Sequence, residues 1–230
     1  MPFFYMDYWY LILVVPTLII AVIAQIRVSS AFRTYQMYES RIGLTAAEVT
    51  RKILDQNGLF SVRVERVSGH LTDHFDPRNG VIRLSDSVDS SRSIAAIGVA
   101  AHEAGHAVQH AQHYAPIVVR NRLVPVANLG CNLAPMLIVF GLLLSMQPLV
   151  LVGVVLYSSI AVFQLVTLPV EFNASGRALK TLSQLQVLDA EELSGARQVL
   201  SAAAMTYVAA LLTTLANLLR FIMISRRNDD

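Results

Sequence analysis

The sequence predicts a membrane α-helical protein, with about four transmembrane helices and a small α+β domain on the cytoplasmic side. Three observations predict it. The 230 residues are 54% hydrophobic and only 15% charged, with a mean hydropathy of +0.52. Soluble domains average about 25% charged residues. Four windows are long and apolar enough to cross about 30 Å of hydrocarbon as helices. The two polar segments between them, 27–122 and 169–200, hold most of the charge. Disorder is excluded, because the apolar content is high and the net charge is only +2. So is nucleic-acid binding, because 18 Lys and Arg against 16 Asp and Glu leave no basic excess for phosphates. The single cysteine, Cys131, excludes an internal disulfide framework and a multi-cysteine zinc knuckle.

The first window, residues 8–26, carries no charge. It lacks the basic leader and small-residue exit of a cleaved signal peptide, so it reads as a retained anchor. Phe3, Phe4, Tyr5, Tyr8, Trp9 and Tyr10 form an aromatic belt at its edge. Arg27, Arg33 and Arg41 place its C-terminal end in the cytoplasm by the positive-inside rule, and Arg120 and Arg122 agree. Residues 123–168 then form a transmembrane hairpin, turning at Ser145-Met146-Gln147-Pro148. In its first helix Cys131 reads as a small packing residue, and Asn128 and Asn132 as a pair that hydrogen-bonds across helices. The last window, 201–224, is broken only by Arg220, near enough to its end to snorkel. Arg226 and Arg227 run against the rule, but Asp229 and Asp230 accompany them.

Within the 27–122 domain, Thr45 to Glu48 is a capping box opening a helix that Asn57-Gly58 closes. Residues 61–67 alternate as a half-buried strand, and the turn at 76–80 joins 71–75 to 81–84 as a hairpin. Serines between 87 and 93 offer N-caps for a helix reaching about Gln112. Residues 178–200 read as two short surface helices with Asp189, Glu191 and Glu192 solvated.

The helix after the serines contains His102-Glu103-Ala104-Gly105-His106. Histidines at i and i+4 share one helical face, so both imidazoles can converge on one ion. Zinc suits nitrogen ligands at about 2.0–2.1 Å and keeps a position open for water in catalytic sites. Glu103 is placed to take a proton from that water rather than to bind the metal. His110 lies eight residues beyond His102, about 12 Å along the axis. That is too far for the two to share an ion, so His110 and His113 are outer or solvated residues. The third ligand must come from the same side of the membrane. The hairpin returns the chain there at Glu171, the first charge after a long neutral run. A carboxylate just past a membrane-spanning helix reads as a site residue; the competing reading is that Glu171 caps the helix that follows.

The stretches LTDHFDPRNGVIRLS, RSIAAIGVAAHEAGHAVQHAQHYAP with the following LVPVANLG, and FQLVTLPVEFNASGRAL resemble the YugP-type membrane zinc metallopeptidases of bacteria. More distantly they resemble the HtpX-like membrane proteases. With the four spans, the resemblance covers nearly the whole chain. It implies a gluzincin-type site in a zincin-like cytoplasmic domain: His102, His106 and Glu171 as ligands of one Zn2+ per chain, and Glu103 as base. The HtpX-like pattern has an Asp four residues after the ligand Glu, where this chain has Ser175; Asn173 or Ser175 is then the substitute.

The expected protein is a multi-pass zinc metalloendopeptidase of the bacterial inner membrane. Its substrate is a membrane-associated protein or peptide, hydrolysed at the cytoplasmic interface by zinc-activated water. His74, Tyr114 and Arg177 are candidates to stabilise the oxyanion, and the strands before the metal helix are expected to hold an extended substrate. The alternative is a membrane scaffold whose metal site is structural, with His110, His74 or Asp73 as a fourth ligand.

Overall fold

A computed structural model describes residues 8–227. Phe3, Phe4 and Tyr5 of the aromatic cluster, and Asp229 and Asp230, lie outside these residues; so do the side chains of Arg226 and Arg227. After a π-helical turn at Tyr10–Val14 come α1 (Val15–Tyr35), α2 (Ala46–Gln56), β1 (Arg63–Val67), β2 (His74–Asp76) and β3 (Val81–Ser85). The chain continues as α3 (Ile94–Ala111), α4 (Ala115–Leu143), α5 (Gln147–Gln184) and α6 (Ala190–Arg227). Four helical segments are long and apolar enough to cross a membrane: Tyr10–Tyr35, Ala115–Leu143, Gln147–Gln184 and Ala190–Ser225.

Contacts divide the chain into two compact units. The first comprises residues up to Ala24, Val118–Leu168 and those from Met205 onward. Its buried centre is Ile138, Val150 and Val154, packed by Leu142, Tyr157, Leu218, Phe221 and Ile222. Large apolar side chains such as Ile19, Val22, Leu129, Val155 and Leu165 face outward instead. An apolar exterior over self-bonded helices is what a hydrocarbon solvent demands. Tyr10 and Phe221 flank the Arg220 guanidinium at 5.0 and 5.4 Å from their ring centres. Two readings of α4 are corrected. Cys131 is exposed rather than packed. Asn128 and Asn132 are also on the exposed surface, so they make no cross-helix pair inside this chain.

The second unit, Gln25–Ile117 with Pro169–Ala204, holds the sheet and the metal helix. The sheet order is β1-β3-β2. β3 pairs in parallel with β1, Arg63 opposite Val81, and antiparallel with β2, His74 opposite Arg83. The predicted hairpin is present but short: Leu71 has φ 55 and stays outside the strand. β3 is central, and Val81, Ile82 and Leu84 are fully buried. Beneath it pack Val49, Ile53 and Leu54 of α2 and the Ala-rich face of α3.

The capping box forms as expected, with the Thr45 hydroxyl accepting from Glu48 N and the Glu48 carboxylate accepting from Thr45 N. Asn57 ends α2, and Gly58 follows at φ +71, a conformation that costs glycine nothing. Ser93 caps α3, its Oγ accepting from Ala96 N at 3.2 Å.

Segment 178–200 is not a pair of short helices. Residues 178–184 continue α5, and α6 begins at Ala190. Asp189 and Glu192 are not solvated charges either. Asp189 Oδ1 accepts from Glu191 N and Glu192 N, both at 2.9 Å, while Glu192 reaches back to Asp189 N at 2.9 Å. This is a second capping box, and it leaves Glu192 only 6% exposed.

Candidate metal centre

Helix α3 carries His102 and His106 one turn apart, with ring centres 4.6 Å apart and planes at 84°. Their Nε2 atoms approach to 3.1 Å. Helix α5 brings Glu171 to the same point, its Oε2 lying 3.3 Å from His102 Nε2 and 3.6 Å from His106 Nε2. Glu171 is deep inside α5 rather than at a helix start, which removes the capping reading. Pro169, just before it, does not end the helix.

Among the described residues, these three form the cluster of His, Cys, Asp and Glu able to hold a metal ion. The donor set fits zinc. Ligand atoms at about 2.0–2.1 Å from a tetrahedral zinc lie about 3.3–3.4 Å from one another, and the three separations here are 3.1, 3.3 and 3.6 Å. Two neutral nitrogens and one carboxylate oxygen leave a fourth tetrahedral position for water or substrate.

Glu171 is buried, and its Oε2 lies within reach of both ring Nε2 atoms. For His106, burial pushes the imidazole down. The hydrogen bond with Glu171 and the negative charges of Glu103 and Glu171 overcome this and raise it.

Each histidine has a partner on its far side. His102 Nδ1 lies 3.1 Å from Ser175 Oγ, so Ser175 occupies the outer position expected of it. His106 Nδ1 lies 3.0 Å from Gln109 Oε1. Gln109, which the sequence reading missed, is fully buried. Asn173 does not touch a ligand itself; it accepts from Gln109 Nε2 at 3.0 Å. Such outer partners fix which ring nitrogen carries the proton and how the ring is turned.

Glu103 stays out of the ligand set. Its Oε2 accepts from Phe75 N of β2 at 2.9 Å. The sheet therefore positions the carboxylate through a strand amide, a contact no local spacing announces. Phe75 also packs edge-on against the His110 ring, with centres 5.9 Å apart.

The other candidates are engaged elsewhere. Asp73 accepts from Ser85 N at 2.8 Å and Ser85 Oγ at 2.9 Å. His74 Nδ1 lies 2.8 Å from Thr72 O. Arg177 donates to Asn173 Oδ1 at 2.7 Å and Gln112 Oε1 at 2.6 Å, with its guanidinium 5.8 Å from the Tyr114 ring centre. His74, Asp73 and His110 thus supply no fourth ligand.

A helical chain with four membrane-length helices, a small sheet and a His, His, Glu centre on an H-E-x-x-H helix defines a membrane protein of the zinc-peptidase class. The family described as "Putative neutral zinc metallopeptidase" matches residues 10–226, and the chain belongs to it. It is also 48% identical over 207 residues, 90% of this chain and 92% of the relative, to the "Putative membrane protease YugP" of Bacillus subtilis (strain 168). No solved structure matches.

Proposed function

We propose that this chain is a membrane-embedded zinc metalloendopeptidase that hydrolyses protein or peptide substrates at the cytoplasmic interface of the bacterial cell membrane. One observation carries the reading: three metal-type donors converge while Glu103, beside the first of them, stays out of the cluster and is held by a strand amide. A closed structural site has no use for such a carboxylate.

His102, His106 and Glu171 would hold one zinc per chain. When bound, zinc polarises a substrate carbonyl and makes a water acidic enough to lose a proton near neutral pH. The chain's own groups do the rest. Phe75 N–H holds Glu103 Oε2, which leaves Oε1 to take the proton of the attacking water. The same carboxyl then passes that proton to the departing amine, and both carboxylate and proton balance are restored. Ser175 and Gln109 keep the two imidazoles turned toward Glu171. Arginines 27, 33, 41, 120 and 122 flank the apolar windows on one side, which supports a cytoplasmic site.

The test is Glu103→Gln. The variant is expected to bind zinc at the wild-type stoichiometry and to lose peptide-bond cleavage. Cleavage at the wild-type rate by this variant would remove Glu103 as the base.

A further inference from the structure

Gln109 is a carboxamide with no exposure, three residues beyond His106 on the metal helix. Every polar atom of its side chain is engaged. Oε1 faces His106 Nδ1 at 3.0 Å, and Nε2 donates to the Val170 carbonyl at 2.8 Å and to Asn173 Oδ1 at 3.0 Å. Asn173 Oδ1 also receives Arg177 Nε at 2.7 Å, and Arg177 Nη1 is anchored on Gln112 Oε1 at 2.6 Å.

The direction of these bonds follows from what each group can do. A guanidinium only donates, and a backbone carbonyl only accepts. Arg177 therefore makes Asn173 present its oxygen. That oxygen and the Val170 carbonyl make Gln109 present its NH2. Oε1 is then the atom left for His106, and an amide oxygen only accepts. Nδ1 of His106 must therefore carry a proton, which makes Nε2, facing His102 and Glu171, the atom free to bind a metal. Turning the Gln109 amide over would set its oxygen against the Val170 and Asn173 oxygens and lose both of those hydrogen bonds in a buried site.

We infer that Gln109, Asn173 and Arg177 are positioning residues: a relay of fixed polarity from the surface of α5 that presets His106 in the tautomer a metal requires. The inference rests on the zinc-peptidase reading above. Helix α5 thus supplies the third ligand at Glu171, the partner of His102 at Ser175, and the groups that set the proton of His106. The helix that delivers the carboxylate also sets the proton placement of His106 and gives His102 its outer partner.

The experiment is zinc affinity by chelator competition on the full chain in detergent, with cleavage rates beside it, for wild type, Gln109→Leu, Asn173→Leu and Asn173→Asp. Gln109→Leu is expected to weaken zinc about 10–100-fold, the usual effect of removing a partner of a ligating histidine. Asn173→Leu weakens it less, because the Val170 carbonyl still holds the Gln109 amide. Asn173→Asp keeps an acceptor for both donors and binds zinc more tightly than Asn173→Leu.

A packing role alone gives the opposite order at 173, since a carboxylate in a half-buried site costs more than leucine. Wild-type zinc affinity in Gln109→Leu, or a leucine at 173 that matches or exceeds aspartate, overturns the relay. If Gln109→Leu does not fold, the order at 173 decides. A wild-type chain that takes up no zinc removes the peptidase reading itself, a result distinct from either.

Discussion

Gly105→Ala tests the packing that assembles the centre. Gly105 sits between the two histidines on the inner side of α3, against α5. A Cβ built there would lie 2.7 Å from the Ala174 carbonyl oxygen, 3.3 Å from its carbon and 3.4 Å from Cα. Ordinary C···O contacts lie near 3.3–3.6 Å, so the helices must part by about 0.6 Å or more. Backbone cannot yield as a side-chain tip does. Metal–ligand bonds tolerate about 0.2 Å, and two ligands lie on one helix with the third on the other. The separation therefore falls on the Glu171 bond.

Overpacking of this kind costs about 1–3 kcal/mol. Alanine returns up to about 1 kcal/mol through its higher helix propensity. The net loss of stability is thus small, about 0–2 kcal/mol. Zinc feels the geometry directly. At 1.4 kcal/mol per decade, strain of about 1–3 kcal/mol on the bound state weakens affinity about 5–140-fold. Gly176→Ala is the control, because a Cβ there meets nothing within 4 Å. It is expected to gain about 0.4–1 kcal/mol and to leave zinc affinity alone. The assay is chelator competition with thermal unfolding of the zinc-free protein. A Gly105→Ala protein that binds zinc like wild type refutes the argument that this contact sets the ligand spacing.

Three further outcomes are expected. Glu171→Ala removes the only charged ligand and should lower zinc affinity by more than about 100-fold, beyond the effect of any outer partner; metal content after dialysis checks it, and full occupancy would take Glu171 out of the site. Ser175→Ala removes the partner of His102 Nδ1 and should weaken zinc about 10-fold or more, measured by the same competition; an unchanged constant would show that His102 needs no such support. Asp73 gives a pH signature. Burial pushes its carboxyl up despite the hydrogen bonds from Ser85, and the charge of Glu103 adds to the shift. The folded state therefore holds that proton more tightly than the unfolded chain. The resulting stability is present below the unfolded value of about 3.9 and is lost as pH rises through the raised folded value. Unfolding free energies from pH 3 to 7 for wild type and Asp73→Asn should differ with that slope, and a flat difference would discount the burial.

Much of the centre was legible because its first half is local. His102 and His106 share a face through the helical repeat alone, and Glu171 stood out as a charge after a long neutral run. Ser175 and Asn173 could be named as outer candidates, but their division of labour could not. Ser175 serves His102, whereas Asn173 reaches His106 only through Gln109. Gln109 left a faint signal, a carboxamide three residues beyond a ligand in an Ala-rich helix. Its partners Val170 and Asn173 lie on another helix, out of reach of any local pattern. The Asp189-to-Glu192 spacing was a readable capping box, obscured because clustered acidic residues look solvated. The turn at 76–80 predicts a hairpin strand reaching back to Leu71, but the positive φ of Leu71 ends the strand short of it, and the turn residues at 76–80 do not register that.

The sequence by itself determined the apolar windows, the two-histidine face with its adjacent glutamate, and the capped helices that carry them. All depend on interactions within a few residues, where helical period and hydropathy leave little freedom. Only the tertiary structure decided that Glu171 meets those histidines within bonding distance of one ion, and that a strand amide holds Glu103. It also decided which outer group turns each ring. The contacts between elements join residues between 28 and 73 positions apart, while Gln109 turns the His106 ring from three positions along the same helix. Where α3 meets α5 the lengths follow from how closely the two helices approach, with Gly105 against the Ala174 carbonyl, and helix approach is a property of packing rather than of any stretch of chain.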